Sequence, residues 1–336
     1  MNILEADVQR GGGHLVILGA GASIAATIRN PEANGLVLPS MANLAQIVPM
    51  SDLLSNVPEG VYSDNFETLY SNLYNFNPNS PLLEEINRRI YRYFSSMRLP
   101  EEPTIYDFLV MSLRERDIIA SFNWDPFLYQ AWCRNYNHGT NPGLCFLHGN
   151  VAIGFDKSAK RLGPANSISR DGKMTFEPTQ LLFPVADKEY DKDPFINLEW
   201  DILRDYLSSD TTKCVTIFGY SAPVTDVEAM RLMSEAWGTP AQRNMEQFEL
   251  IDIRPENEVC ASWNRFIHTH HYDYCTDFLQ SSLARFPRRT SEAFFYQYEP
   301  FTIEEAFVED YPIPKNLTSL EEMWEWYQPF IEKEYY

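Results

Sequence analysis

The sequence predicts an α/β protein built on a doubly wound parallel sheet, and three features of the chain indicate this fold. Short, continuously apolar runs recur along it, as expected of strands that are buried on both faces. Segments with helical apolar spacing lie between these runs. Small or polar residues follow several runs directly, where the ligand-binding turns of such a sheet lie. The runs are residues 14–18, 117–122, 145–148, 214–218 and 248–253.

Helical patterns fill the stretch between the first two runs. Apolar residues recur there at helical spacing, first at Leu82, Leu83, Ile86, Ile90 and Phe94, and again at Ile105, Leu109 and Leu113. The stretch from about 44 to 116 therefore predicts a helical insertion that covers one edge of the sheet. Ser319 with Glu322 forms a capping-box pattern that opens a C-terminal helix. We expect one main domain over residues 1–262 and a helix-rich extension over residues 263–336 that packs on the same domain.

Composition bounds the function. The 336 residues are 44% hydrophobic, which is enough for a sizeable core. Forty-seven acidic residues against 27 basic ones give a net charge of -20, which disfavours direct binding to nucleic acid or to an anionic membrane. The N-terminus has no apolar leader pattern, and no apolar run approaches the roughly 20 residues of a membrane helix. We therefore expect a cytoplasmic protein.

Cysteine and histidine spacing predicts no metal site. The five cysteines form no C-x-x-C pair, which argues against a disulfide framework and against a zinc module. His268, His270 and His271 cluster in the sequence but lack a surrounding set of acids or cysteines. We expect neither group to hold a metal ion.

Small residues follow the first predicted strand and precede a helical pattern. They are Gly19, Ala20, Gly21, Ala22 and Ser23. In a Rossmann-like sheet, such a turn lets backbone N–H groups approach a pyrophosphate at a helix N-terminus, although a tight turn without a ligand explains the same residues. The usual dinucleotide fingerprint has a third glycine where Ile24 stands, and an acid near the position of Met41. These departures disfavour an ordinary dehydrogenase.

Polar side chains end the second and third runs. The Asn123 amide can hold a ribose hydroxyl or a water without becoming charged. Asp125, which precedes Pro126, fits either a site residue or the N-cap of the next helix. His148 stands before Gly149, where the backbone can turn, and an imidazole there can take a proton from a water or a sugar hydroxyl at neutral pH. The alternative for His148 is a hydrogen-bonded core histidine.

A second small-residue turn follows the fourth run, at Gly219, Tyr220 and Ser221. It offers a hydroxyl at the same predicted edge of the sheet, since the carboxyl ends of parallel strands lie together. A plain turn without a ligand is an equally good interpretation of these three residues.

Taken in order, these motifs resemble those of the sirtuin family. Residues 19–23 resemble its first phosphate loop, residues 121–125 its T-Q-N-I-D segment, L-H-G its catalytic histidine strand and G-Y-S its G-T-S loop. The resemblance covers about two thirds of the chain. It also extends to F-E-L-I-D-I, where it implies a contact between Asp252 and the adenosine half of NAD.

The chain also departs from the sirtuin deacylases. It lacks the two C-x-x-C pairs of their zinc module, and Leu38-Pro39-Ser40-Met41 replaces their P-D-F-R segment. Phe122 stands in place of their glutamine. These differences argue against protein deacylation.

The set of motifs is more similar to the sirtuin-like NAD hydrolases of bacterial anti-phage defence, some of which pair with a HerA-type hexameric ATPase. This resemblance implies that NAD is a substrate, cleaved without a metal to nicotinamide and ADP-ribose, and that its depletion aborts infection. Asn123 would orient a ribose hydroxyl or the attacking water, His148 would act as general base, and Asp125 would position the segment. Residues 19–23 and 219–221 would hold the phosphates and the adenosine ribose.

The resemblance further implies a homo-oligomer and an ATPase partner. A non-catalytic module that binds NAD or ADP-ribose and regulates a larger complex is the main alternative to the hydrolase. A residual NAD-dependent deacylase is a weaker one.

Overall fold

The computed structural model describes residues 13–28, 36–185, 190, 192–222, 226–243, 246–267, 272–298 and 310–334. His268, His270 and His271, which we expect not to bind metal, lie outside these residues. The strands found within them are β1 (Gly13–Leu18), β2 (Ile118–Ser121), β3 (Gly143–Phe146), β4 (Ile153–Asp156), β5 (Arg161–Pro164), β6 (Ser167–Ile168), β7 (Thr175–Pro178), β8 (Thr212–Phe218), β9 (Gln247–Ile251) and β10 (Tyr272–Cys275).

The main sheet confirms the predicted fold class. Its order is β10-β9-β8-β1-β2-β3, and every neighbouring pair in it is parallel. The chain builds outward from β1 through β2 and β3, then crosses back to β8 on the other side of β1. This reversal makes the gap between β1 and β8 a topological switch point, where open α/β sheets bind their ligands.

All five predicted strands are present, with ends that differ by a few residues. They form because their apolar residues are buried on both faces, and β1 and β2 are buried along their whole length. The sixth strand, β10, is not predicted. Its sequence, Y-D-Y-C, is only partly buried, so it carries no continuous apolar signal.

A small antiparallel sheet between β3 and β8 is also absent from the sequence prediction. Its order is β5-β4-β7-β6, and its strands are two to four residues long. The Asp156 carboxylate accepts the N–H groups of Ser158, Ala159 and Thr175, which ties the end of β4 to the start of β7. The Ser158 hydroxyl, with these N–H groups, lowers the pKa of Asp156 to about 2. Hydrogen bonds to one acid thus reinforce the pairing of β4 with β7.

The described helices are α1 (Ala20–Thr27), α2 (Leu44–Ile47), α3 (Ser51–Leu54), α4 (Phe66–Phe76), α5 (Pro81–Ser95), α6 (Ile105–Met111), α7 (Phe127–Asn135), α8 (Pro194–Ser208), α9 (Val227–Trp237), α10 (Glu256–Trp263), α11 (Ser282–Arg285), α12 (Thr290–Tyr298) and α13 (Leu320–Lys333). Helices α2 to α6 form the predicted helical insertion between α1 and β2. In α5, Leu83, Ile86, Ile90 and Phe94 make the buried stripe. None of the helices in the described ranges is long and apolar enough to cross a membrane.

The C-terminal residues add to the same core. Strand β10 pairs with β9, and α13 inserts the fully buried Tyr327, whose hydroxyl contacts the Ser112 hydroxyl and the Phe108 carbonyl. The capping box of Ser319 and Glu322 at the start of α13 is confirmed. The predicted domain boundary between residues 262 and 263 falls inside helix α10. The division of the chain at this point remains a prediction.

Candidate active site

A cavity of about 280 Å³ lies at the carboxyl edge of the main sheet, at the switch point between β1 and β8. Residues that follow β1, β2, β3 and β8 line it, together with residues of the helical insertion. The lining residues are Gly19, Ala20, Leu38, Pro39, Met41, Leu44, Glu67, Phe94, Phe122, Asn123, Trp124, Asp125, His148, Leu182, Pro184, Gly219, Tyr220, Ser221 and Asp226.

The cavity brings together most of the residues that the sequence singles out. Those that line it are Gly19, Ala20, Asn123, Asp125, His148, Gly219, Tyr220 and Ser221. Four others do not line it: Gly21, Ala22, Ser23 and Asp252. Ala22 and Ser23 are fully buried behind the turn. The Asp252 carboxylate accepts hydrogen bonds from the side chain and N–H group of Arg254.

The two small-residue turns interlock. The Gly19 N–H group donates to the Phe218 carbonyl and the Gly21 N–H group to the Gly219 carbonyl, both at 3.0 Å. A Cβ on Gly21 would lie 2.8 Å from the Gly219 Cα. Gly219 has a φ of +63°, and a Cβ there would lie 2.4 Å from the Ala22 nitrogen. The glycines therefore let the turns pack against each other, and these two N–H groups are engaged by the protein's own carbonyls.

Asn123 is anchored through its amide nitrogen. Nδ2 donates to the Gly19 carbonyl at 2.8 Å, and it lies 2.9 Å from Ser23 Oγ and 3.2 Å from the Tyr106 hydroxyl. Because a backbone carbonyl cannot donate a hydrogen bond, the atom beside Gly19 must be the nitrogen. The remaining polar atom of the side chain is Oδ1, which is the atom that a ligand in the cavity can use as an acceptor.

Asp125 is a buried carboxyl beside this amide. It accepts the Phe127 N–H group at 3.2 Å, but the N-cap of α7 is Pro126, so the expectation that Asp125 is the N-cap is wrong. The residue is 4% exposed. Burial raises the pKa of the Asp125 carboxyl to about 6, although hydrogen bonds from the Ser23 hydroxyl and the Phe127 N–H group oppose this rise. Asp125 therefore bonds the backbone at the start of α7 and also lines the cavity.

His148 lies among aromatic rings. Its Nε2 is 3.1 Å from the Tyr190 hydroxyl, and its ring lies edge-on to Phe122 with centroids 4.8 Å apart. Phe122 in turn stacks on Tyr220 at 4.2 Å. The glutamine-to-phenylalanine departure at position 122 thus supplies one wall around the imidazole.

The turn after His148 is fixed by backbone contacts. The His148 carbonyl accepts the Leu182 N–H group at 2.9 Å. Gly149 has a φ of +76°, and a Cβ on it would lie 2.1 Å from the Gln180 carbonyl oxygen. The glycine is therefore needed for both its backbone angle and its lack of a side chain.

We expect Gly149→Ala to lower the free energy of unfolding by roughly 2–4 kcal/mol, because the strained φ and the contact with Gln180 add together. Gly172→Ala is the matched control: Gly172 has a φ of +71° but open space around its Cβ, so only the backbone cost of about 1 kcal/mol applies. Urea unfolding of both variants measures the difference. Equal losses would mean that the segment at Gln180 moves aside freely.

Sequence reasoning misses several residues of the site. Glu67 and Asp226 line the cavity, and the Asp226 carboxylate accepts the Tyr220 hydroxyl at 2.9 Å. Tyr106 and Tyr190 contact Asn123 and His148 from segments far away in the chain. Glu67 lies in the first turn of α4, within the helical insertion, and Asp226 lies six residues after Tyr220.

The cavity is acidic. It contains the carboxyl groups of Glu67, Asp125 and Asp226, and among the described residues that line it none is lysine or arginine. Within the described ranges, no group of three or more His, Cys, Asp or Glu side chains is placed to hold a metal ion. The carboxylates therefore favour a ligand that carries or develops positive charge where it contacts them.

No protein-family model matches the sequence, and no curated protein matches it. Among solved structures, the chain is similar to Sir2 homologues. A triple mutant in complex with 2′-O-acetyl ADP ribose is 12% identical with a TM-score of 0.42, and the match covers 82% of this chain and 90% of that one. A single mutant in complex with ADP ribose is 12% identical with a TM-score of 0.38, covering 80% and 95%. A Sir2 homologue in complex with NAD is 10% identical with a TM-score of 0.35, covering 82% and 88%. The fold class of this chain follows from its own strand order, a doubly wound parallel sheet of the Rossmann-like kind.

Proposed function

We propose that the chain is an NAD glycohydrolase, which cleaves the bond between nicotinamide and ribose. The acidic cavity carries this proposal: residues with three carboxyl groups line it together with Asn123 and His148. The nicotinamide ring of NAD is a cation, and the ribose becomes an oxocarbenium-like cation as the bond breaks. Carboxylates stabilise positive charge that develops beside them, especially where water is excluded.

The size of the cavity suits only part of the NAD molecule. A volume of about 280 Å³ is near the lower limit of small-ligand pockets, which run from about 300 to 1,000 Å³. It suits the nicotinamide ribose, whereas acidic walls repel phosphates. The phosphates would lie at the rim, near the exposed Ala20 and the partly exposed Ser221.

In the proposed reaction, the bond between the nicotinamide nitrogen and ribose C1′ breaks, and its electron pair neutralises the ring. Asn123 Oδ1 would hold a ribose hydroxyl or the attacking water in place. His148 would take the proton from that water as its oxygen bonds to C1′, and then release the proton to solvent. The Asp125 carboxylate would stabilise the ribosyl cation. The products are nicotinamide, ADP-ribose and one proton.

A regulatory module that binds NAD or ADP-ribose without turnover is the second candidate. The buried Asp125 favours the enzyme over this alternative. An ionised carboxyl in that place opposes folding, and such unfavourable groups are concentrated in active sites. A module that only binds needs no group that stabilises charge developing in a transition state. A residual NAD-dependent deacylase is the weakest candidate, because the chain lacks the zinc module.

The biological setting is part of the proposal. We propose that the chain acts in the cytoplasm as a homo-oligomer, depletes NAD in anti-phage defence, and is controlled by a HerA-type hexameric ATPase. Native mass spectrometry of the chain, alone and mixed with such an ATPase, tests the assembly. Separate, unassociated species in the mixture would contradict the partnership.

The activity is tested by measuring nicotinamide release from NAD by the purified protein, alone and with the ATPase. We expect Asp125→Asn to lower turnover about 30- to 100-fold, because it removes a charge beside the ribosyl cation. The same change is expected to raise the free energy of unfolding at pH 7.5 by up to about 3 kcal/mol. The wild-type carboxyl binds its proton below about pH 6 when folded but only below about pH 4 when unfolded, so folding is penalised above pH 6 and the penalty fades as pH falls.

Asp117→Asn is the matched control. Asp117 is a buried carboxyl whose pKa burial also raises to about 6, but it lies at the amino edge of the sheet, where it accepts the N–H groups of His14 and Arg114. We expect this variant to keep wild-type turnover per folded molecule. If the wild type binds NAD but releases no nicotinamide with or without the ATPase, the regulatory module becomes the better account.

A further inference from the structure

We propose that Tyr106 is a positioning residue for Asn123: its hydroxyl, with that of Ser23, fixes the plane of the Asn123 carboxamide so that Oδ1 faces the cavity. The three groups form a closed triangle. Tyr106 OH lies 2.6 Å from Ser23 Oγ, and Asn123 Nδ2 lies 2.9 Å from Ser23 Oγ and 3.2 Å from Tyr106 OH. This inference rests on the proposed function, since it assigns the geometry of that same site.

The hydrogen bonds of the triangle have a consistent direction. One hydrogen of Asn123 Nδ2 goes to the Gly19 carbonyl, and the other is shared between the two hydroxyl oxygens. Because Tyr106 accepts from Asn123, its own hydrogen is available for Ser23. The Ser23 hydrogen is then available for the Asp125 carboxylate, whose pKa the Ser23 hydroxyl lowers. Each donor in this series of hydrogen bonds therefore has an acceptor. The series ends at Asp125, whose ionised carboxylate can only accept hydrogen bonds.

The Gly19 carbonyl alone does not fix the carboxamide plane. A single bond to Nδ2 allows the amide to rotate about the bond that joins it to Cβ, and this torsion is broad for asparagine. The second hydrogen, held between Tyr106 and Ser23, removes that freedom. Reacting groups need such restraint, since small displacements from the productive geometry cost large factors in rate.

A hydroxyl at position 106 has no other evident use. Tyr106 is fully buried at the start of α6, and it is not among the residues that line the cavity. A phenylalanine would fill the same space without the cost of burying a polar group. The contacts that offset this cost are those to Ser23 and Asn123.

The test is Tyr106→Phe, assayed by nicotinamide release from NAD. We expect kcat to fall about 10- to 100-fold while KM stays within about threefold, because the variant disturbs alignment and not binding. Tyr327→Phe is the matched control, since it also removes a fully buried hydroxyl, one bonded to Ser112 and the Phe108 carbonyl, and none of these three residues lines the cavity. It should leave both constants at their wild-type values. A wild-type kcat for Tyr106→Phe would overturn the inference.

A second variant tests the inference if Tyr106→Phe does not fold. A second measurement tests it if the proposed function is wrong. Ser23→Ala removes the other hydroxyl of the triangle, and the same fall in kcat is expected if Tyr106→Phe does not fold. If the wild type releases no nicotinamide, the proposed function fails, and crystal structures of the wild type and Tyr106→Phe then decide. A rotated Asn123 carboxamide would support the positioning role, and an unchanged one would refute it.

Discussion

Asn123→Ala is expected to reduce nicotinamide release at least about 1,000-fold. Oriented groups at a reacting centre supply several kcal/mol of the rate enhancement, and the variant removes one outright. It deletes both the Oδ1 acceptor and the amide nitrogen that holds the Gly19 turn. The loss is measured by incubating each variant with NAD and quantifying the released nicotinamide by chromatography.

The isosteric Asn123→Asp variant is also expected to lose activity. It tests the amide nitrogen without changing the size of the side chain. An ionised carboxylate oxygen would replace the nitrogen 2.8 Å from the Gly19 carbonyl, where two acceptors repel each other. The side chain would have to turn away or remain protonated.

A remote asparagine controls for stability. Asn135 is fully buried in α7, where its Nδ2 donates to Asp107 and to the Ala131 carbonyl. Asn135→Ala is expected to lower stability yet keep wild-type turnover per folded molecule. Substantial hydrolysis by folded Asn123→Ala would mean that the reaction takes place elsewhere or without this amide.

His148→Ala is expected to lower kcat by about 100- to 10,000-fold, the range for loss of a general base. The variant also empties a space between aromatic rings, so His148→Gln should be measured beside it. Glutamine can keep a hydrogen bond to the Tyr190 hydroxyl but cannot take a proton at neutral pH. Both variants should therefore be inactive, and the glutamine variant should be the more stable.

Two controls separate catalysis from packing. Tyr190→Phe keeps the ring that lies 5.9 Å from the imidazole and removes only the hydrogen bond, so we expect a loss of about tenfold or less. His14→Gln changes another buried histidine, which contacts Thr290 and Thr216 at the amino edge of the sheet. Its turnover should be unchanged. Full activity in His148→Gln would exclude the general-base role.

Much of the fold is predictable because its central strands are buried on both faces. Continuous apolarity marks β1, β2 and β8 in the sequence as clearly as burial marks them in the structure. The alternation of strands with helices then leads to a doubly wound sheet. The antiparallel sheet is missed because its edge strand β5, R-L-G-P, is mostly exposed and lacks a strand pattern.

The site is predictable only in part, for a related reason. Asn123, Asp125 and His148 follow strands, so a rule about strand ends places them together. Ser23 looks like a phosphate contact in the sequence but lies behind the turn, because it is directed to Tyr106, 83 residues away. Tyr190 enters through a contact with His148, 42 residues away, which leaves no local pattern.

The interlocking of the turns after β1 and β8 also constrains how this sequence can vary. Gly21 and Gly219 each occupy the space that a side chain on the other would need. A larger residue at one position cannot be offset by a smaller one at the other, because glycine is already the smallest. In a saturation library selected for folding, we expect both positions to remain glycine. The exposed Ala20, which lines the cavity, should accept many residues. Variation in ligand preference at this rim must therefore arise at positions such as Ala20 and Ser221, on a backbone that two glycines hold constant.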